Sequence, residues 1–150
     1  MLHVNRMAHF LVVEDFPPLA SIVSMAIRRE GHEVTRAGTV ASALSLETRF
    51  DHAVLDIDLP DGNGVDLACQ LLRDERAQRV IFFTASRNIA LLERAASLGF
   101  VVDKAAGYER LIAALRQQGA YAERVAIVGT PHSLDVRDSG RSGTRRKVDP

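Results

Sequence analysis

The sequence predicts an α/β fold: a five-stranded parallel sheet with helices packed on both of its faces. Short apolar runs alternate along the chain with longer segments whose apolar residues recur at helical spacing. One helical segment separates each pair of runs, and this is the connection that parallel strands require. Glycine and proline residues stand at several of the junctions, where they begin or end an element.

Five strands are predicted, and most of them are continuous apolar runs that suit strands buried on both faces. They are His9–Val13, Glu33–Ala37, Ala53–Asp56, Arg79–Thr84 and Val101–Asp103. Glu33–Ala37 differs because it alternates polar and apolar residues, which indicates a strand at the edge of the sheet.

Five helices are predicted between and after these strands. The first begins at Pro17 and ends before Gly31, and the others are Val40–Arg49, Gly64–Arg73, Arg87–Leu98 and Tyr108–Gln118. Proline is tolerated in the first turn of a helix, and glycine commonly ends one. The residues expected to face the core are Leu19, Ile22, Val23, Ala26, Ile27, Ala43, Leu44, Val65, Ala68, Leu71, Leu72, Leu111, Ile112 and Leu115.

Right-handed crossovers between successive strands favour the strand order 2-1-3-4-5, which is the flavodoxin-like arrangement. Strand 2 is outermost in that order, as its alternating pattern requires. The prediction is therefore one doubly wound α/β domain.

The domain is predicted to span residues 8–122, with an extension at residues 1–7 and a tail at residues 123–150. The chain has 150 residues, 47% hydrophobic and 25% charged, which is typical of one globular domain with a core. The tail has a single short apolar patch, Val125–Val128. Because Ser139–Lys147 is rich in Gly, Ser and Arg, we expect most of the tail to be disordered.

Charge and cysteine content bear on partners and surroundings. The 19 basic and 19 acidic residues balance, so the net charge predicts neither a nucleic-acid nor a membrane partner. Cys69 is the only cysteine, which excludes an internal disulfide and suits a reducing cytoplasm. No apolar run approaches the length of a membrane span, and we expect a cytoplasmic protein.

Polar residues stand where four of the predicted strands end, at the edge where open parallel sheets bind ligands. They are Glu14 and Asp15 after strand 1, Asp56 and Asp58 at strand 3, Thr84 at strand 4, and Asp103 and Lys104 at strand 5. Clustered carboxylates repel one another unless a cation lies among them. Because only oxygen ligands are offered, the pattern favours Mg²⁺.

These groups suit phosphoryl transfer. An aspartate beside a metal ion can attack a phosphoryl group and form an aspartyl phosphate, while Lys104 and Thr84 can contact phosphate oxygens. Each residue alone has a structural explanation, since Asp15 and Thr84 can cap helices and Lys104 can be a solvated charge. The residues that can simply form a turn are Asp58, Asp61, Gly62 and Asn63. The hypothesis therefore depends on all four strand ends together.

Four blocks of the sequence resemble the signature blocks of bacterial two-component response regulator receiver domains of the chemotaxis type. The blocks are Val13–Asp15, Leu55–Gly64, Phe83–Ala85 and Asp103–Lys104, and the resemblance covers about residues 8–118. It implies that Asp56 is the phosphoacceptor. It assigns Mg²⁺ to Glu14, Asp15, Asp56 and the Asp58 backbone carbonyl, phosphate binding and switching to Thr84, Ala85 and Lys104, and the lifetime of the phosphorylated form to Asp58 and Ser86.

The sequence departs from the family pattern near its last block. Ala105 follows the lysine, where the family usually has proline, and Val101 holds the aromatic switch position three residues before the lysine. Phe100 is the candidate substitute. The departures concern the usual relay from threonine to aromatic residue and leave phosphorylation itself unaffected.

The resemblance implies a stand-alone receiver that takes a phosphoryl group from a sensor histidine kinase or a phosphotransfer protein. It would signal by protein–protein interaction or phosphorelay, with a downstream protein or a second copy in a homodimer as partner. No enzymatic activity is expected beyond self-catalysed phosphoryl transfer and autodephosphorylation.

Two alternatives stay open. The altered switch region leaves room for a receiver-like interaction module that acts without phosphorylation. Asp56-Ile57-Asp58 also resembles the nucleophile motif of haloacid-dehalogenase-type phosphatases, but that motif normally ends the first strand of a longer domain. A nucleotide-binding fold is disfavoured because no Gly-x-Gly-x-x-Gly follows the first strand.

Overall fold

The computed structural model describes residues 6–128 of the chain, and side chains for residues 6–118. Its five-stranded sheet consists of β1 (His9–Val13), β2 (Glu33–Ala37), β3 (Phe50–Leu55), β4 (Ala77–Thr84) and β5 (Phe100–Asp103). Neighbouring strands are parallel and follow the order β2-β1-β3-β4-β5. The predicted order, and the edge position of the second strand, are confirmed.

Five helices connect and follow the strands. They are α1 (Pro17–Arg29), α2 (Val40–Leu44), α3 (Gly64–Arg73), α4 (Ile89–Leu98) and α5 (Tyr108–Val128). Two short elements lie near the ends of strands. They are an antiparallel hairpin after β3, formed by Asp58–Leu59 and Gly62–Asn63, and a 3-10 turn after β5, Lys104–Ala106.

The central strands are buried on both faces, which explains why they are continuous apolar runs in the sequence. On one face Leu11 and Phe82 belong to a core cluster with Ala43 of α2, Leu67 of α3 and Ala95 of α4. Strand residues point alternately to opposite faces, so their neighbours form the second core layer. These neighbours, all buried, are Phe10, Val12, Val54, Ile81 and Phe83.

The strand register brings the carboxyl ends of four strands to one edge. Beyond the end of β1, the Glu14 amide donates a hydrogen bond to the Ala37 carbonyl at 3.1 Å. The Asp56 amide likewise donates to the Val13 carbonyl at 3.0 Å. Thr84 and Asp103 are paired in register at the ends of β4 and β5. Regular strand pairing therefore positions the side chains at this edge.

The second and last helices differ in length from the predictions. The prediction of a helix over Val40–Arg49 is wrong beyond Leu44, because the chain turns away there and the Arg76 guanidinium donates hydrogen bonds to the carbonyls of Leu44 and Leu46. The last helix does not end at Gln118 but continues to Val128. Contacts from distant residues, such as those of Arg76, leave no periodic signal in the local sequence.

One predicted core residue is exposed. Ile22 was expected on the apolar stripe of α1, but 44% of its surface is accessible. The helix instead buries Ala20 and Ser24 beside Val23 and Ile27, so Ile22 falls at the margin of the stripe. Ala20 and Ser24 are small, so α1 can bury the face that carries them, although the hydrophobicity of the sequence does not mark that face.

The described chain divides after Ala114 into two compact units, and the sheet lies in the first. The predicted disordered stretch Ser139–Lys147 and the first five residues of the predicted extension lie outside the described residues. The predicted domain boundary after residue 122 stays a prediction.

Gly99 gives a test of this packing, because a Cβ added there would collide with the Val80 carbonyl oxygen of the neighbouring strand β4. We expect Gly99→Ala to lower the free energy of unfolding by about 2 kcal/mol or more, since backbone must shift to make room. Gly38→Ala is the matched control, because its nearest neighbour would be the Glu14 carbonyl oxygen at 3.9 Å. Urea denaturation measures both, and equal stabilities would contradict the close approach.

Candidate functional site

Three carboxylates meet at the carboxyl edge of the sheet. Glu14 and Asp15 follow β1, Asp56 follows the adjacent strand β3, and one oxygen from each lies within 4.8 Å of the others. Glu14 and Asp56 are buried, whereas Asp15 is exposed. The predicted convergence of the acidic strand ends is therefore present, with one carboxylate open to solvent.

Both oxygens of the Asp56 carboxylate are held by hydrogen bonds. Oδ1 accepts one from the Thr84 hydroxyl and one from the Ile57 amide, each at 2.7 Å. Oδ2 accepts one from the Lys104 ammonium at 2.8 Å. Three separate segments of the chain therefore fix the orientation of this carboxylate.

Lys104 is the cation of the cluster. Its Nζ lies 2.8 Å from Asp56 Oδ2 and 2.9 Å from Glu14 Oε1, so one ammonium bridges two buried carboxylates. The second Glu14 oxygen accepts a hydrogen bond from the Phe16 amide at 3.0 Å. Both oxygens of Glu14 and both oxygens of Asp56 therefore have hydrogen-bond or ion-pair partners, although the two carboxylates share a single cation.

The pKa shifts reflect this imbalance. Burial raises the pKa of Glu14 above its ordinary value, and the contacts with Lys104 and the Phe16 amide only partly offset it. Burial opposes charge on Lys104 too, but hydrogen bonds to Asp56 and Glu14 raise its pKa. Both pKa values are thus raised, which favours the neutral form of Glu14 and the charged form of Lys104, because the ammonium contacts two carboxylates while Glu14 shares its cation with Asp56.

An apolar floor lies beneath the cluster. A small cavity below Glu14 and Asp56 is lined by Val12 and Val54 of the sheet and by Val23 of α1. The low polarity of this lining strengthens the electrostatic interactions of the two carboxylates.

The donor set fits a hard divalent cation. The three side chains that could bind the ion are carboxylates, whose oxygens Mg²⁺ prefers, and the exposure of Asp15 leaves room for the water ligands that this ion retains. The Asp58 carbonyl is the remaining predicted ligand. Asp58 itself is exposed and pairs with Asn63 in the hairpin, and its role as a ligand stays a prediction.

The hairpin after β3 is fixed by side chains that the sequence suggested only as turn formers. The Asp61 carboxylate accepts hydrogen bonds from the amides of Val40 and Ala41 at the start of α2, at 2.8 and 2.9 Å. Asn63 caps α3 by accepting from the Asp66 amide at 2.8 Å. The contact between Asp61 and Val40 leaves no local signal in the sequence, because these residues are 21 positions apart in the chain.

Gly64 brings the start of α3 against the phosphoacceptor candidate. A Cβ at this position would overlap the Asp56 carbonyl oxygen, and the Gly64 amide donates to the Ile57 carbonyl at 2.8 Å. Only glycine allows this approach. The loop carrying Asp58 is therefore held closely over the end of β3.

The loop after β4 carries the remaining predicted site residues. The Ser86 amide donates to the Thr84 hydroxyl at 3.1 Å, and the buried Ser86 hydroxyl accepts from the Asn88 amide at 3.2 Å. Ala85 is exposed. The roles of Ser86 and Asp58 in the lifetime of a phosphorylated form stay predictions.

The strand that carries the altered switch position leaves it at the surface. Val101 and Phe100 have exposed fractions of 36% and 40%, while the next residue, Val102, is buried. Phe100 pairs in register with Ile81, three residues before Thr84. Neither residue fills an internal position beside Thr84, where an aromatic relay would act.

In the part of the chain that the structure describes, no helix combines the length and apolar character needed to cross a bilayer.

Comparison with known proteins places this geometry in context. Residues 10–116 match the family model described as the response regulator receiver domain. Over 77 residues the chain is 43% identical to the probable transcriptional regulatory protein TcrX of Mycobacterium tuberculosis, a match covering 50% of this chain and 33% of that protein. The chain therefore spans about a third of the length of this curated relative.

Solved structures share the fold. A CheY-like receiver domain protein from Methanospirillum hungatei superposes with a TM-score of 0.72 at 20% identity, over 79% of this chain and 98% of that one. The response regulator TrrA of Thermotoga maritima, solved in complex with Mg²⁺ and BeF, gives 0.66 at 23% identity, over 74% and 98%. At these identities the likeness establishes the fold alone.

Removal of the bridging cation tests the electrostatics of the site. Lys104→Met leaves two buried carboxylates without their shared donor, and we expect a loss of about 1–3 kcal/mol in the free energy of unfolding near neutral pH. Because the pKa of Glu14 is already raised, this group takes up a proton early as the pH falls, and the loss should shrink in acid. Lys104→Arg keeps the charge and serves as the control. Denaturant unfolding at several pH values measures the effect, and a pH-independent loss would contradict it.

Proposed function

The chain belongs to the response regulator receiver domain family, and from this premise we propose that it accepts a phosphoryl group on Asp56. The observation that carries the proposal is the set of contacts around this carboxylate. Thr84 and Lys104 hold its two oxygens from separate strand ends, and Glu14 and Asp15 lie beside it. Every group that the reaction requires is thus on one edge of the sheet.

The chemistry assigns a distinct task to each side chain. An Asp56 oxygen donates an electron pair to phosphorus while the bond between phosphorus and the donor's leaving atom breaks and the leaving group takes its electrons. The Lys104 ammonium can pair with a phosphoryl oxygen, and the Thr84 hydroxyl, now on Asp56 Oδ1, can donate to another. Both donors are already within reach of the reacting carboxylate.

Glu14, Asp15 and Asp56 would hold Mg²⁺, together with the Asp58 carbonyl. The oxygen-only donor set and the open side at Asp15 support this assignment. When bound, the ion supplies positive charge that offsets the charge of the transferring phosphoryl group. The complex of TrrA with Mg²⁺ and BeF is consistent with this role in a protein of the same fold.

The phosphoryl donor would be a sensor histidine kinase or a phosphotransfer protein, and the response would pass to a downstream protein or a second copy of the chain. We propose a cytoplasmic receiver that signals by protein contact or phosphorelay, with no enzymatic activity beyond its own phosphorylation and dephosphorylation. The relative TcrX is named as a transcriptional regulatory protein and is about three times as long as the matched segment.

A second candidate function is a receiver-like module that acts without phosphorylation. The exposure of Val101 at the switch position favours it, because the usual internal aromatic residue is missing at that point of β5. The complete acidic cluster with its bridging lysine favours phosphorylation. The two candidates differ in whether the chain becomes labelled at all.

Labelling at Asp56 is the direct test. We expect incubation with acetyl phosphate and Mg²⁺ to add one phosphoryl group to the wild-type chain and none to Asp56→Asn, because the amide lacks the nucleophilic oxygen. Asp74→Asn changes an exposed aspartate at the opposite end of α3 from Gly64, and this matched control should still be labelled. Intact mass spectrometry gives the answer, and equal labelling of Asp56→Asn would assign the site elsewhere.

Metal binding gives an independent test. We expect Asp15→Ala to weaken Mg²⁺ binding by about tenfold or more, because few protein ligands hold this ion and even outer contacts can matter that much. Glu33→Ala removes the same charge from an exposed residue at the opposite end of the sheet and should leave the affinity unchanged. NMR titration with MgCl₂ measures both, and similar affinities for the two variants would refute the assignment of Asp15.

A further inference from the structure

Contacts around Asp56 form a closed ring that passes through the loops after β4 and β5. Asp56 Oδ1 accepts from the Thr84 hydroxyl, and the same hydroxyl accepts from the Ser86 amide. The Arg87 guanidinium donates to the Ser86 carbonyl at 3.2 Å and lies 3.6 Å from Asp103 Oδ2. The peptide bond from Asp103 to Lys104 closes the ring, because Lys104 returns to Asp56 Oδ2.

Asp103 is fixed by both of its carboxylate oxygens. Oδ1 accepts a hydrogen bond from the Ala105 amide at 2.9 Å and so caps the 3-10 turn that contains Lys104. Oδ2 faces Arg87. A side chain held at both ends limits the freedom of the backbone that carries Lys104, the next residue in the chain.

Arg87 belongs to the other loop of the site. Its guanidinium donates to the carbonyls of Ala85 and Ser86, the two residues that follow Thr84. Thr84 and Asp103 are themselves paired in register at the ends of β4 and β5. Arg87 is therefore the side chain that joins the Thr84 loop to the Lys104 loop beyond the last pair of the sheet.

We propose that the Arg87–Asp103 ion pair positions Lys104 and Thr84 relative to each other, so that both reach the phosphoryl group at the same time. Arg87 and Asp103 are positioning residues in this inference, which rests on the proposed phosphorylation of Asp56. The ion pair supplies a polar link between the two loops in a chain whose exposed Val101 and Phe100 provide no internal aromatic link.

The exposure of the pair sets the size of the effect. The Arg87 and Asp103 side chains have exposed fractions of 72% and 49%, so solvent and salt screen their attraction. An exposed pair of this kind changes an equilibrium or a rate only a few-fold. The ion pair therefore changes the rate of phosphoryl transfer a few-fold, while the reaction itself depends on Asp56.

The experiment follows the rate of labelling by acetyl phosphate and Mg²⁺ in a double-mutant cycle. In this reaction an Asp56 oxygen forms a bond to phosphorus, the bond between phosphorus and the acetate oxygen breaks, and acetate leaves with the electron pair. Arg87→Gln and Asp103→Asn each remove one charge, and the side-chain amide introduced by the second substitution keeps an oxygen to accept from Ala105. We expect about threefold slower labelling in each variant and the same threefold, not ninefold, in the double variant.

Three further measurements separate positioning from a general structural effect. Arg87→Lys keeps the charge and should recover most of the rate. In about 1 M NaCl, where the screening length is about 3 Å, the ratio between wild type and Arg87→Gln should approach one. Arg94→Gln breaks another exposed ion pair, which joins α4 to Asp66 of α3 at 2.8 Å, and should label as fast as wild type.

Failure of the inference can be told from failure of the proposed function. If the wild-type chain is not labelled, phosphorylation of Asp56 is refuted and the positioning role falls with it. If the wild-type chain is labelled but the single variants match its rate, or their effects multiply in the double variant, only the positioning role is refuted. If Arg94→Gln slows labelling as much as Arg87→Gln does, the positioning role is likewise refuted.

Discussion

The bridge that Lys104 makes between Glu14 and Asp56 is the interaction on which the site depends. Two buried carboxylates side by side repel each other, and a cation within contact distance offsets that repulsion. Lys104 reaches both at less than 3 Å from a strand end 48 residues away from Asp56. The cluster therefore depends on β5, because the residue that follows this strand supplies its cation.

This requirement links the topology of the sheet to the chemistry of the site. The order β2-β1-β3-β4-β5 makes the strands of Glu14 and Asp56 direct neighbours at the centre of the sheet. Thr84 comes from the next strand and Lys104 from the one beyond it. A fold that places its polar groups on four successive strand ends holds them in fixed positions, because β1, β3 and β4 each pair with a strand on both sides and β5 pairs with β4.

Much of the fold and the centre of the site could be predicted because their signals are local. Parallel strands buried on both faces are continuous apolar runs, and the polar residues that follow such runs must lie at one edge of the sheet. Glu14, Asp56, Thr84 and Lys104 were identified in this way. The early end of α2, the exposure of Ile22 and the Asp61 cap could not be predicted, because each depends on packing or contacts between residues far apart in sequence.

The same distinction separates the rigid part of the site from the part that can vary. Asp56 is held by the backbone of Ile57, by Thr84 and by Lys104, over an apolar floor and under the close approach of Gly64. Loss of the Thr84 hydroxyl or the Lys104 ammonium would leave a buried carboxylate oxygen without its partner, which is costly. The rim is different, because Asp15, Asp58 and Arg87 are exposed and meet solvent. Substitutions there can alter metal affinity, water access or loop positions without disturbing the core. We therefore expect these exposed residues to set the rates of the site, and the buried contacts around Asp56 to determine its chemistry.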